Sequence, residues 1–273
     1  MNNLKTAILL SILAGILIII GGSLAGPNGA IFAFIFAILM NFFSYWNSAS
    51  IILRISKAHE ASKEDHPDLY SMVADIASKA QLPIPRIYIM ESEQANAFAT
   101  GRNPQHAAIA VTSGIMKQLN HGELRAVIGH EFAHIANRDI LISTIVAAVA
   151  GAISMLSWMS FWFSGRRNGG ANIIVALIAP LVATIIQLAI SRSREFEADW
   201  DGSHFSESPV ELASALTKIH SSAISNQLHV PQATAHLYIA NPFKSKFSGL
   251  FSTHPSLEER LERLQKMRPE RAN

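Results

Sequence analysis

Cysteine is absent from the chain, so disulfide bonds cannot stabilise it. Charged side chains are also scarce, at 15% of the residues, whereas 49% of the residues are hydrophobic. Soluble proteins carry about 25% charged residues, so this composition is apolar for a soluble enzyme. The net charge of only +2 offers no argument for binding nucleic acid.

The longest charge-free segment runs from Thr6 to Leu53, without Lys, Arg, Asp, Glu or His. Within it, residues 7–24 and 30–46 are two apolar runs that flank the turn-forming sequence Gly-Pro-Asn-Gly. Each run is about long enough to cross a hydrocarbon core of roughly 30 Å at about 1.5 Å per residue. A cleaved signal peptide has one short apolar region and a small-residue cleavage site, so we expect residues 1–53 to form a retained transmembrane hairpin.

A second pair of apolar runs occupies residues 140–163 and 171–190. Both are long enough to span a membrane. Pro180 in the last run is compatible with this, because neighbouring groups in a membrane helix can satisfy the freed carbonyl. The alternative is that both runs are buried helices of a soluble domain.

Basic residues near the ends of the apolar runs indicate the orientation. Lys5 precedes the first run, and Arg54 and Lys57 follow the second. They predict a cytoplasmic N-terminus, C-terminus and central domain. Arg166 and Arg167, between the third and fourth runs, favour the opposite orientation. We expect the first hairpin and the larger cytoplasmic mass to determine the orientation, with both termini in the cytoplasm.

Residues 130–134 read His-Glu-Phe-Ala-His, which places two histidines four positions apart. Positions i and i+4 share a helix face, so His130 and His134 can direct two imidazoles at one metal ion. Glu131 projects beside that face, where it can take a proton from metal-bound water. The alternative is a surface helix with two solvated histidines.

A catalytic zinc site typically has three protein ligands and an open fourth position, so a third ligand is needed. Glu195 and Asp199 repeat the i, i+4 spacing after the last apolar run. One carboxylate can bind the metal while the other orients a ligand histidine through its second ring nitrogen. We interpret Glu197 as a solvated charge. The alternative for this segment is an ordinary charged cap after an apolar helix.

Together these segments resemble the HtpX-type membrane zinc metalloproteases, which are relatives of the CaaX prenyl-protein endoproteases. The resemblance covers nearly the whole chain and includes the HExxH sequence and the SRSREFEAD sequence at residues 191–199. Three further matches are Asn96-Ala97-Phe98-Ala99, Asn137-Arg138-Asp139 and Ser252-Thr253-His254-Pro255-Ser256. The resemblance implies one zinc ion per chain, held by His130, His134 and Glu195. It also implies Glu131 as the catalytic base and suggests Asp199 as a partner of a ligand histidine.

The expected fold is that of an α-helical integral membrane protein with about four transmembrane helices. Residues 54–139 and 191–273 form a mainly α, zincin-like catalytic domain with a small β-sheet, and residues 140–190 form the second transmembrane hairpin. The implied function is zinc-dependent hydrolysis of misfolded or excess membrane proteins, as quality control under stress. The expected partners are polypeptide substrates and the lipid bilayer of a bacterial-type inner membrane, with the active site on its cytoplasmic side.

Local patterns predict the elements of the catalytic domain. Residues 65–80 repeat apolar side chains with helical periodicity. Strand-forming residues indicate strands at 86–90, 95–100 and 107–112. Asn120, followed three positions later by a glutamate, predicts a capping box at the start of the HExxH helix. That helix is expected to continue towards the third apolar run, and a short helix follows near the C-terminus.

The candidate substrate strand consists of Asn96, Ala97, Phe98 and Ala99. By the resemblance, it pairs with an extended substrate, since an edge strand offers unmatched N–H and C=O groups. The compatible alternative is that Phe98 belongs to the core. His254 is a candidate donor to the oxyanion of a tetrahedral intermediate, or else an ordinary turn residue. Residues 225–253 are expected to be irregular.

Two other functions remain open. A narrow processing protease of the CaaX type would have more spans enclosing a chamber. A membrane scaffold would instead hold a structural metal, which usually has four protein ligands and would leave Glu131 without a role. The intact base therefore favours a peptidase.

Overall fold

Residues 2–141, 192–225, 239 and 255–267 are described by the structure, a computed structural model. The predicted spans at 140–163 and 171–190 lie almost wholly outside the described residues, as does His254. Within the described ranges, no helix combines the length and apolar character that a membrane crossing requires. The set of four transmembrane helices remains a prediction.

Helix α1, Asn2–Ile55, contains the charge-free segment and has Pro27 inside it. Gly26 has a φ of +60°, which glycine adopts without strain. A Cβ atom added to Gly22 would lie 3.5 Å from the Cβ of Ala30, whereas eight residues of straight helix advance by about 12 Å. The chain therefore reverses direction around Gly26, at the turn that the sequence predicts.

The second half of α1 exposes large apolar side chains. Those at least 48% exposed are Ile31, Phe32, Phe34, Ile35, Phe36, Ile38, Leu39, Phe42, Phe43 and Trp46. At about 3.6 residues per turn, these positions cover more than half of the helix circumference. The small residues Ala33 and Ala37 lie on the opposite side and are buried. The apolar surface of α1 thus faces away from the described protein.

Four strands form one mixed sheet in the order β1-β2-β4-β3. They are β1 His59–Glu60, β2 Arg86–Met90, β3 Ala97–Gly101 and β4 Ala107–Thr112. β2 and β4 are parallel, and the other neighbours are antiparallel. The three predicted strands are confirmed, and β3 lies at an edge of the sheet.

The remaining helices are α2 Pro67–Lys79, α3 Ser113–Gln118, α4 His121–Ala136, α5 Arg192–Ser206, α6 Pro209–Ser225 and α7 Leu257–Lys266, with a 3₁₀ turn at Pro104–His106. α4 carries the HExxH sequence and begins with the predicted capping box, in which Asn120 and Glu123 exchange hydrogen bonds. Its apolar side packs into the core between the sheet and α6, with Ile128 and Phe132 fully buried. The HExxH residues are therefore held on a rigid element.

Helices α4 and α5 meet at a pair of glycines. A Cβ atom on Gly129 would lie 2.7 Å from the carbonyl oxygen of Gly202, and one on Gly202 would lie 2.6 Å from the Cα of His130. Those distances are too short for real carbon atoms, so a larger residue at either position would push the helices apart. The two glycines therefore set the distance between the histidines and the helix that carries Glu195.

Candidate metal centre and active site

The three predicted ligands come together across the α4–α5 contact. His130 Nε2 lies 3.7 Å from Glu195 Oε2, and His134 Nε2 lies 3.6 Å from Glu195 Oε1. One ligand atom from each residue lies within 4.8 Å of the others. A tetrahedral zinc ion with bonds of about 2.0–2.1 Å holds its donors roughly 3.4 Å apart. Two imidazoles and one carboxylate at these separations fit a zinc ion that keeps an open fourth position.

The second ring nitrogen of each histidine faces a carboxylate. His130 Nδ1 lies 3.1 Å from Asp199 Oδ1, and His134 Nδ1 lies 3.2 Å from Asp139 Oδ2. A carboxylate in this position favours the tautomer that carries its proton on Nδ1, which leaves Nε2 available to a metal. The structure thus places Asp199 where the sequence suggests a partner of a ligand histidine, and it adds Asp139 as an equivalent partner.

The end of α4 explains the position of Asp139. Arg138 has a left-handed backbone with φ of +59°. The N–H of Arg138 donates to the carbonyl of Ile135, and the N–H of Asp139 donates to that of His134. This pair of bonds is a Schellman motif, which ends the helix and turns the chain back. The expected continuation of α4 is therefore wrong: the Asn-Arg-Asp sequence directs a buried aspartate at the metal centre.

Two buried arginines hold the two aspartates. Arg260 of α7 donates from Nε and Nη2 to the two carboxylate oxygens of Asp199, at 2.9 and 2.6 Å. Arg194 of α5 donates from Nη1 to Asp139 at 3.3 Å. Sequence reasoning missed both. For Arg260 a signal did exist, because it falls at an apolar-face position of α7, three residues after Leu257.

Glu131 lies beside the ligands and is only 5% exposed. Its Oε2 accepts a hydrogen bond of 2.7 Å from the backbone N–H of Ala99. Burial raises the pKa of the Glu131 carboxyl, and the two neighbouring histidines offset part of that rise. A carboxylate with a raised pKa is suited to take a proton from water near neutral pH and release it later.

The carboxylates also control the protonation of His134 before a metal binds. Burial alone would lower its pKa, but the hydrogen bond to Asp139 and the charges of Glu195 and Glu131 outweigh burial and raise the pKa of His134 to about 9. Without metal, this histidine is therefore protonated at neutral pH. A metal ligand must be neutral imidazole, so metal binding displaces this proton.

The edge strand β3 lies next to Glu131. Asn96 faces β4, since its carbonyl accepts from the N–H of Thr112. Residues alternate along a strand, so Ala97 and Ala99 direct their backbone groups away from β4, and Ala99 reaches Glu131. Phe98 is buried in a small cluster with residues of α1 and so belongs to the core.

Known proteins resemble this chain in both sequence and fold. Residues 63–268 match the profile of peptidase family M48. A protein described as a protease HtpX homolog, from Thermodesulfovibrio yellowstonii, is 49% identical over 98% of this chain and 99% of its own length. Another from Burkholderia cenocepacia is 46% identical, with 97% of both chains covered.

Among solved structures, the crystal structure of S. mikatae Ste24p matches 96% of this chain with a TM-score of 0.54 and 17% sequence identity. The chain spans 65% of the length of Ste24p. At this identity, the similarity concerns the fold alone, and it confirms a Ste24-like arrangement of helices around a small mixed sheet. The family profile and the near full-length relatives show that this chain belongs to peptidase family M48 and is a metalloprotease.

Proposed function

We propose that the protein is a membrane-bound zinc endopeptidase in which His130, His134 and Glu195 hold one zinc ion and Glu131 is the catalytic base. The observation that supports this most directly is the meeting of three ligand atoms from two helices beside a buried glutamate. A structural zinc site would more often have a fourth protein ligand and would not need that glutamate.

The chemistry follows from these positions. A zinc ion held here would polarise the scissile carbonyl and lower the pKa of the attacking water. Glu131 takes a proton from that water on its carboxylate and passes it to the leaving amine. Asp139 and Asp199 keep the histidine Nε2 atoms directed at the ligand position. His254, outside the described residues, remains the candidate donor to the oxyanion.

Substrate binding is assigned to Asn96, Ala97, Phe98 and Ala99. The outward backbone groups of Ala97 and the carbonyl of Ala99 can pair with an extended polypeptide, while the N–H of Ala99 is bonded to Glu131. Such pairing would place the scissile bond near Glu131. Asn96 and Phe98 support the strand from within, through β4 and the core. Recognition through backbone groups predicts a broad sequence preference.

The membrane location is supported by the apolar surface of α1. A surface of this extent in water favours association with lipid or another apolar partner. The basic residues near the apolar runs support a cytoplasmic active site. The HtpX resemblance supports a role in quality control. We therefore propose misfolded or excess membrane proteins as the substrates.

Cleavage of an unfolded protein by the full chain in detergent tests the proposal. Wild type, Glu131→Gln and Glu197→Gln would each be stripped of metal and then given one equivalent of zinc. Glu197 is an exposed residue of α5 and serves as the matched control. We expect zinc-dependent cleavage by wild type and Glu197→Gln, and zinc binding without cleavage by Glu131→Gln. Equal activity of all three proteins would refute the assigned base.

A further inference from the structure

The C-terminal helix α7 contributes a side chain to the metal centre. Arg260 is 3% exposed and makes a two-pronged contact with Asp199. Its Nη1 also lies 3.8 Å from Oε2 of Glu195. Arg260 thus contacts both the proposed metal ligand from α5 and the carboxylate that faces His130. It comes from a helix more than 50 residues further along the chain.

The charges at the site show that the positive charge of Arg260 cannot by itself favour metal binding. The carboxylates of Glu131, Asp139, Glu195 and Asp199 lie at the site, and each is at most 5% exposed. The guanidinium groups of Arg194 and Arg260 leave two negative charges if both histidines are neutral, and a divalent cation balances them. As a point charge, however, Arg260 repels an incoming cation. Any favourable effect on metal binding must therefore come from geometry.

The geometry of the contact provides such an effect. A guanidinium has a planar fork that matches both oxygens of a carboxylate, so it fixes the rotation of that carboxylate. With both oxygens of Asp199 held by Arg260, Oδ1 remains 3.1 Å from His130 Nδ1. The carboxylate that faces His130 is therefore oriented before a metal arrives.

We propose that Arg260 is a positioning residue of the metal centre, and that zinc binding and the docking of α7 reinforce each other through it. The inference rests on the zinc site proposed above. Coupling between two binding events is reciprocal. If Arg260 strengthens zinc binding by holding Asp199, bound zinc must in turn strengthen the docking of α7. A purely electrostatic role predicts the opposite sign, because zinc would then loosen α7.

Zinc affinity, measured by chelator competition on the full chain in detergent, separates these roles. We expect Arg260→Met to weaken zinc binding about 10- to 100-fold, as is typical when a partner of a metal ligand is lost. Arg260→Lys keeps the charge but not the fork and should also weaken binding. The matched control is Arg263→Met, because Arg263 lies on the same helix, where it pairs with Glu259 and stacks on Phe196. It should bind zinc as wild type does.

A double-mutant cycle distinguishes an effect through Asp199 from general damage to the fold. If Arg260 acts through Asp199, the Asp199→Asn and Arg260→Met double variant should bind zinc little worse than Asp199→Asn alone. General damage to the fold would instead make the two losses add, which would overturn the proposal. Unchanged or tighter zinc binding by Arg260→Met would overturn it as well.

Hydrogen exchange of the α7 amides gives a readout that is independent of activity. Zinc should slow exchange across residues 257–266 in wild type and in Arg263→Met, but not in Arg260→Met. Equal zinc protection in all three proteins would overturn the coupling. Failure of wild type itself to bind zinc would overturn the proposed function together with this inference, whereas the other outcomes leave the proposed function intact.

Discussion

Helix α4 carries two buried glutamates, which differ in the number of hydrogen bonds that their carboxylates accept. Glu123 is 2% exposed and Glu131 is 5% exposed. Glu123 accepts hydrogen bonds from the backbone of Asn120, the hydroxyl of Ser214 and the ammonium group of Lys218. For Glu131, the described residues provide one such donor, the N–H of Ala99.

The two carboxyl groups consequently shift in opposite directions. Burial raises the pKa of Glu123, but its bonds to Lys218, Ser214 and Asn120 outweigh burial and lower the pKa overall. Burial dominates at Glu131, whose pKa is raised. A buried carboxylate is thus a candidate base only where donors are scarce, and the same residue type on the same helix is structural where donors are plentiful.

The largest expected effect is that of Glu131→Gln on turnover. Loss of a general base typically costs about 10²- to 10⁴-fold in rate, and we expect kcat to fall by that factor. The zinc content of the variant should not change, since Glu131 is not among the proposed ligands. Steady-state cleavage and metal analysis measure both quantities. Retained activity would assign the base to another residue.

A smaller effect is expected for Asp139→Asn. The neutral amide is a weaker acceptor for the Nδ1–H of His134 than a carboxylate and lacks its charge, so zinc affinity should fall about 10- to 100-fold. Asp201→Asn is the control, because Asp201 of α5 accepts a hydrogen bond from Asn137, which lies in the same turn as Asp139. Chelator competition on both variants tests the assignment, and equal affinities would contradict it.

The pH dependence of zinc binding tests the charge state of the site. His134 has a raised pKa of about 9 without metal. Protons therefore compete with zinc below that pH, and apparent affinity should rise with pH by up to about tenfold per unit until the pKa is passed. Calorimetry at neutral pH in two buffers of different ionisation enthalpy should detect the released proton. A flat affinity between pH 6 and 9, as a rough range, would contradict a protonated His134.

The smallest effect is expected for Glu123→Gln, which completes the comparison. Glutamine keeps the capping bond to Asn120 but loses the charged bond to Lys218, so unfolding should cost about 1 kcal/mol less. Activity should stay at the wild-type level. Thermal unfolding and a cleavage assay measure the two quantities, and a large loss of activity would show that this end of α4 takes part in the reaction.

Much of the local structure could be predicted from the sequence. The strands, α2, the capping box and the turn near Gly26 follow from periodicity and from turn and capping residues. These signals depend on a few neighbouring residues, so they can be recognised in the sequence without knowledge of the fold. The continuation of α4 was mispredicted because a left-handed Arg138 carries no such signal.

The metal centre likewise has features that the sequence predicts and features that depend on the tertiary structure. Helical spacing pairs His130 with His134 on one face and Glu195 with Asp199 on another, since a period of 3.6 residues is a local property. The distance between the two carboxylates and the histidines depends on the close approach of Gly129 and Gly202.

By itself, the sequence determined the two halves of the site and the kind of chemistry they support. Only the tertiary structure decided that Asp139, Arg194 and Arg260 belong to the same centre. The physical reason is that buried charges find their partners across helices that are distant in the chain, and no local pattern records that pairing.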